Sequence, residues 1–192
     1  MLILAAFLIL VAFTPAQSLP HVVVDTDLGE IEIEVDAVRA PVTSANFLRY
    51  IDAGLYNGGL FHRTVRPDNQ REKPVKIAVI QGAANAARKS EFFSPIALER
   101  TSQTRLRHKD GTVSMARAGV DTATQEFFIC VGDQPELDFG GKRNPDGQGF
   151  AAFGQVVRGI DVVRRIQESA AEGETLRPAI KIISIRRTGG RL

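Results

Sequence analysis

The segment Glu30-Ile31-Glu32-Ile33-Glu34-Val35 alternates charged and aliphatic residues without a fault. That alternation is the period of a pleated strand with one face buried. His21 to Asp25 predicts a second strand, and Asp27-Leu28-Gly29 between the two is a hairpin signal, with glycine where positive φ is required. Pro41 then suits a first helical turn. Phe47, Leu48, Ile51 and Leu55 recur on one helical face, and Gly54 is placed to stop the helix. Short apolar runs predict further strands at Leu60–Arg66, Lys76–Gln81, Ile96–Glu99, Thr112–Ala116, Phe127–Val131 and Ala152–Val157. A second helix is expected from Ile160 to Ser169, with Val162, Val163 and Ile166 inward, and Ala179 to Arg187 closes the pattern as a strand.

About eight strands with only two helices do not make the alternating pattern of a parallel α/β sheet. They fit a mainly β protein, a closed eight-stranded antiparallel barrel. No internal repeat, low-complexity stretch or linker separates a second domain, so residues 19–192 are read as one unit.

Composition narrows this further. A chain of 192 residues with 44% hydrophobic and 24% charged residues is of globular type and buries a core without staples. A net charge of +2 is too small to argue for nucleic acid, and the basic stretch Arg100 to Lys109 has no interleaved aromatics, so it reads as a solvated loop. Leu2 to Phe13 is an unbroken apolar run, too short to span a bilayer comfortably but of the size of a secretory h-region. Ala16-Gln17-Ser18 then offers small residues for cleavage before Leu19, although no Lys or Arg precedes the run. The expectation is a signal peptide over residues 1–18 and an exported, periplasmic or secreted product, against the alternative of an uncleaved membrane tether. No stable membrane insertion is expected after cleavage. Cys130 is the only cysteine and is expected to be inert core.

Five short phrases remain: Phe61-His62-Arg63, Val79-Ile80-Gln81-Gly82, Gly111-Thr112-Val113-Ser114-Met115-Ala116-Arg117, Glu126-Phe127-Phe128-Ile129 and Ala152-Phe153-Gly154-Gln155-Val156. In this order they resemble the cyclophilins, the β-barrel peptidyl-prolyl cis-trans isomerases, over nearly the whole chain from about residue 22 to residue 187. The resemblance implies a barrel capped by two α-helices and an enzyme that rotates X-Pro bonds. It implies Arg63 as the catalytic donor. It also implies a substrate-binding set of Gln81, Ala116, Arg117, Glu126, Phe128, Leu137 and Phe150. No metal and no cofactor are called for. Proline-containing peptides and partly folded proteins are the expected partners, met by a monomer.

Several positions depart from the family's pattern. Arg117 stands where the family presents Asn, and is expected to favour acidic residues beside the proline. Ala78 replaces a pocket phenylalanine, Glu126 a glutamine and Glu136 a tryptophan or phenylalanine, so two aromatic walls are expected to be missing. Phe139 or Phe150 is available to fill the gap. Two loops are longer than usual, residues 66–75 and 138–149, read either as tolerated surface growth or as lids that select substrate. The rival function is a non-catalytic module that holds proline segments as a chaperone, favoured by Ala78 and Glu136. His62 is expected to face away from Arg63. His21 and His108 have no acidic or cysteine neighbours at metal spacing, and no Ser-His-Asp pattern is apparent in the sequence.

Overall fold

The computed structural model describes residues 18–188, so the apolar run at 2–13 and most of the expected signal segment lie outside the described residues. The strands are β1 (His21–Thr26), β2 (Gly29–Val35), β3 (Gly59–Val65), β4 (Val79–Ala83), β5 (Thr112–Met115), β6 (Phe127–Cys130), β7 (Ala151–Arg158), β8 (Ala171–Glu172) and β9 (Thr175–Thr188). The helices are α1 (Pro41–Asp52), the single turn α2 (Thr101–Thr104) and α3 (Ile160–Glu168). All strand pairs are antiparallel, in the order β1-β2-β7-β5-β6-β4-β3-β9, and β9 returns to β1 to close an eight-stranded barrel. The two-residue β8 hangs from β9 as a further hairpin strand.

Alternation decides what fills the barrel. Ile31, Ile33 and Val35 of β2 are fully buried, while Glu30, Glu32 and Glu34 face outward. Phe47, Tyr56, Phe61, Phe127 and Phe153 meet at the centre, with ring centroids 4.9 Å apart for Phe47–Phe153 and 5.4 Å for Phe47–Phe127. Such tilted and edge-on contacts favour the ring quadrupoles as well as burying area. Gly82 makes room for them. A Cβ there would stand 3.0 Å from both Phe127 Cζ and Phe61 Cε1. The inward rows of α1 (Phe47, Leu48, Ile51) and α3 (Val162, Val163, Ile166) join the same core.

The expected strand at Ile96–Glu99 does not form. Only one isolated bridge, Ile96 to Ala123, survives, because this segment lies over the barrel rather than in its sheet. The strand expected from Lys76 begins at Val79, since Ile77 is instead clamped by Gln70, whose side chain bonds both its N–H and its carbonyl. Cys130 is fully buried, and burial pushes its thiol well above the ordinary value, which suits an inert role. Among the described residues no helix is long and apolar enough to cross a membrane.

Candidate active site

A second, smaller apolar cluster lies on the outer face of the sheet. It comprises Val65, Ile77, Val79, Phe128, Cys130 and Leu137, with Ala116 and Phe150 packed against it. The register explains why chemistry gathers here. Arg63 of β3 is paired with Gln81 of β4, Gln81 with Phe128 of β6, and Phe128 with Ser114 of β5. Four neighbouring strands thus place these residues on one rung, and strand spacing sets successive Cα atoms about 5 Å apart. On β6 the faces alternate cleanly: Phe127 and Ile129 point into the barrel, Phe128 and Cys130 into the outer cluster.

Arg63, Gln81, Ala116, Arg117, Phe128, Leu137 and Phe150 all line one cavity of about 290 Å³. The seventh expected binding residue, Glu126, lies beyond Gln81 and lines the adjoining cavity with Thr122 and Thr124. Its carboxylate accepts a hydrogen bond from Gln81 Nε2. Gln81 Oε1 in turn accepts from Arg63 Nη1 at 2.8 Å. The other edge of the guanidinium is held by a residue that sequence reasoning missed: Nε and Nη2 of Arg63 donate to Glu174 Oε2 at 2.9 and 2.5 Å. Glu174 sits in the β8–β9 turn, where its carbonyl accepts from Thr64 N at 2.9 Å, so the backbone fixes it beside β3. A guanidinium has five N–H donors. Three are used here, which leaves one on Nη1 and one on Nη2 for a ligand.

The aromatic gap is filled differently from expectation. Ala78 is not part of the cavity wall. Its N–H donates to Gln134 Oε1 and its carbonyl accepts from Val131 N, while Ile77 and Val79 supply the apolar wall. Phe150 stands edge-on to Phe128 at 5.3 Å between centroids, whereas Phe139 is 43% exposed and takes no part. Glu136 does not enter the cavity either: its carboxylate accepts from Lys142 N at 2.8 Å. The expectation for Arg117 is also revised. Its side chain is 1% exposed, its Nε donates to Gly149 O at 2.8 Å, and its two terminal nitrogens grip Asp146 at 2.7 and 2.9 Å. Arg117 therefore anchors the 138–149 loop instead of offering itself to a peptide. That salt bridge pulls the Asp146 carboxyl down to about 2.

His62 faces the same side as the site, against the simple alternation. A β-bulge between Phe61 and Arg63 shifts the register, so Phe61 stays in the core while His62 Nε2 comes 3.9 Å from Glu126 Oε2. His108 is 1% exposed and stacks under Phe128 at 5.9 Å and 16°. Its Nδ1 lies 2.8 Å from Asp138 Oδ1 and its Nε2 lies 3.0 Å from Ser114 Oγ. This is the atom sequence of a hydrolase triad, assembled from three distant segments. Ser114 is fully buried on β5 beside Phe128, so its hydroxyl has no path to an acyl group and the chain of bonds braces the pocket floor. Burial opposes charge on Asp138, but hydrogen bonds from His108 and Arg107 outweigh it and hold the carboxyl below its ordinary range.

The two long loops meet over the cavity. Gln70, 2% exposed, ties the first loop to Arg66 O and Ile77 O, each at 2.7 Å. Arg143 reaches from the second loop to Gln70 Oε1 at 2.7 Å and Val75 O at 2.6 Å. Gly149, at φ +66, ends that loop where a Cβ would come 2.5 Å from the Asp138 carbonyl carbon.

Comparison with known proteins agrees with this geometry. Residues 21–187 match the family model described as cyclophilin type peptidyl-prolyl cis-trans isomerase/CLD. A peptidyl-prolyl cis-trans isomerase A from Dickeya dadantii is 34% identical over 167 residues, 85% of this chain and 80% of that protein. A peptidyl-prolyl cis-trans isomerase from Arabidopsis thaliana is 33% identical over 175 residues, 90% of this chain and 94% of its own length. In fold, the chain is similar to a Cryptosporidium parvum cyclophilin-type isomerase with a TM-score of 0.67 at 19% identity, covering 90% of this chain and 99% of that one. That protein was also solved in the presence of the dipeptide Ala-Pro. With the family model spanning nearly all of the described residues, this chain belongs to the cyclophilin-type peptidyl-prolyl cis-trans isomerases.

Proposed function

We propose that Arg63 is the catalytic donor of this isomerase and that the outer cavity seats the substrate proline. Rotation about an X-Pro bond faces a barrier of roughly 18–20 kcal/mol from amide resonance and takes tens of seconds or longer unassisted. In the twisted amide the nitrogen becomes pyramidal and its lone pair accepts hydrogen bonds. A donor that favours this state over both planar ground states accelerates rotation, tenfold for every ~1.4 kcal/mol. The observation that carries the reading is the Arg63 guanidinium, fixed by Gln81 and Glu174 with two N–H groups to spare, in a cavity with one apolar wall. A preorganised charge of this kind needs no reorganisation during the reaction. Phe128, Leu137 and Phe150, with Ile77 and Val79, supply the surface against which a proline ring stays still while the flanking chain turns. Gln81 and Ala116 are the binding groups nearest the peptide backbone in this reading, with Glu126 bordering the adjoining cavity.

The features that favour a binding-only chaperone lose their basis, since neither Ala78 nor Glu136 lines the cavity. Proline-containing peptides and unfolded or partly folded proteins are the proposed clients of a monomer. Export is proposed from the run Leu2–Phe13 followed by Ala16-Gln17-Ser18. A native product of export begins at Leu19 by intact mass; one that keeps Met1 and partitions with membranes overturns this. Protease-coupled isomerisation of short X-Pro peptides tests the main reading. Turnover that falls on loss of Arg63 supports it, and full activity without Arg63 overturns it.

A further inference from the structure

Four cations, Arg63, Lys73, Arg117 and Arg143, line the proline-side cavity, and among the described residues no Asp or Glu does. Two of them are neutralised from behind, Arg63 by Glu174 and Arg117 by Asp146. The other two come one from each long loop. Arg143 donates only to neutral acceptors, Gln70 Oε1 and Val75 O, through a single nitrogen. Burial pushes its guanidinium below the ordinary value; Glu174 attracts it, but Arg63 repels it. An arginine remains cationic at any working pH, so this is a partly desolvated charge without a salt-bridge partner among the described residues. Lys73 likewise forms no ion pair among the described residues and faces the same cavity. Lys73 is exposed and carries its charge at little cost, whereas a partly buried cation such as Arg143 beside an apolar seat is costly until an anion arrives.

Resting on the isomerase reading, we infer that the Lys73–Arg143 edge is a subsite for the carboxylate of an acidic residue flanking the substrate proline. The two loops make it jointly: the contact of Arg143 with Gln70 and Val75 holds the second loop's charge over the first. The planar fork of Arg143 keeps its second terminal nitrogen for a carboxylate oxygen, and Lys73 adds a mobile ammonium. The subsite adds a substrate preference to a reaction that Arg63 performs.

The test is kcat/KM on two peptide series, one varying the residue before proline and one the residue after it, each with Glu, Gln and Lys. At low salt, Glu exceeds Gln by roughly three- to fivefold in at least one series and Lys falls below Gln, the upper range of a partly exposed ion pair. About 0.5 M salt shrinks that gap, because the pair is screened. Lys73→Gln with Arg143→Gln brings the Glu/Gln ratio to within about twofold of one. Because Arg143 also ties the loops, Lys73→Gln alone and the salt series decide the matter if the double variant loses its shape. Equal rates for Glu and Gln in both series, or a preference untouched by salt and by Lys73→Gln, overturn the subsite. Failure to turn over even the Gln peptides overturns the isomerase reading instead. In that case fluorescence anisotropy on the same peptides judges the subsite: tighter binding of Glu than Gln sustains it, and equal binding ends it.

Discussion

Glu174 holds one whole edge of Arg63, accepting Nε at 2.9 Å and Nη2 at 2.5 Å on a single carboxylate oxygen. Gln81 restrains the opposite nitrogen, so the guanidinium plane has little freedom to rotate. The pair is about a third exposed, which limits its direct worth to stability. Its value lies in aim: a donor fixed before substrate arrives loses no entropy in the transition state.

Loss of the donor itself is the largest effect expected. Arg63→Ala reduces kcat/KM by roughly two orders of magnitude, ~3 kcal/mol, with the fold intact by circular dichroism. Arg63→Lys restores little, because one ammonium does not reproduce a planar fork.

Glu174→Ala is expected to lower kcat roughly fivefold, ~1 kcal/mol, with a smaller change in KM, because Glu174 positions Arg63 and does not reach the cavity lining. Glu174→Gln retains an acceptor and recovers part of the loss. In an Arg63→Ala background the Glu174 substitution adds nothing further. A full additive loss in the double variant shows that Glu174 acts on something else.

The strand faces were legible in the sequence because period-two alternation is local. Glu30 to Val35 and the pair Phe127/Phe128 could be assigned from their neighbours alone. The bulge at Phe61–Arg63 was not legible, since it arises from how β4 and β9 pair with β3, and it turned His62 to the unexpected side. Glu174 is 111 residues from Arg63, and no local pattern links a turn glutamate to a distant strand arginine. Ala78 and Glu136 misled for the same reason. Counting positions from Gln81 or Leu137 does not show that Gln70 pulls Ile77 into the wall or that Glu136 turns to Lys142. The long loops could be recognised by length, while their meeting through Arg143 required three dimensions.

Phe127 and Phe128 separate stability from function. Phe127→Ala opens the barrel core, where three other aromatic rings lie within 5.7 Å, and costs about 3–5 kcal/mol in urea unfolding. Phe128→Ala removes the ring between His108 and Phe150, and its main effect is on peptide kinetics and affinity. Equal destabilisation with unchanged kinetics in both variants contradicts the assignment of faces.

Asp146 reports whether the second loop is anchored by Arg117. Its carboxyl, lowered to about 2 by Arg117 and by the Gln148 N–H, is expected to titrate there by carbon-detected NMR. Arg117→Gln moves the midpoint up toward 3.8, the unperturbed value. The sign follows from a depressed folded pKa. The anchor is complete above the unfolded value near 3.8 and is lost as pH falls toward 2. A midpoint unchanged by Arg117→Gln shows that the loop is held by other contacts.

The Ser114–His108–Asp138 chain distinguishes a brace from a catalytic triad. With Ser114 fully buried on β5 beside Phe128, a serine-reactive fluorophosphonate is expected to leave it unlabelled, although the hydrogen-bond distances match those of a nucleophile and its base. The bracing role has its own signature. Asp138 accepts from His108 N at 3.1 Å and from Arg107 at 3.3 Å as well as facing the imidazole, so Asp138→Ala leaves buried donors without a partner. A cost of about 2–4 kcal/mol is expected, the range for removing one member of a buried charged network. Because the folded carboxyl is held below its ordinary range, its stabilisation is present above about pH 4 and fades as pH falls through the folded value. Asp138→Asn removes this acid-sensitive share, so its unfolding free energy varies less between pH 5 and pH 2 than that of the parent protein. Labelling of Ser114 by the phosphonate, or an unchanged acid profile in Asp138→Asn, overturns the brace.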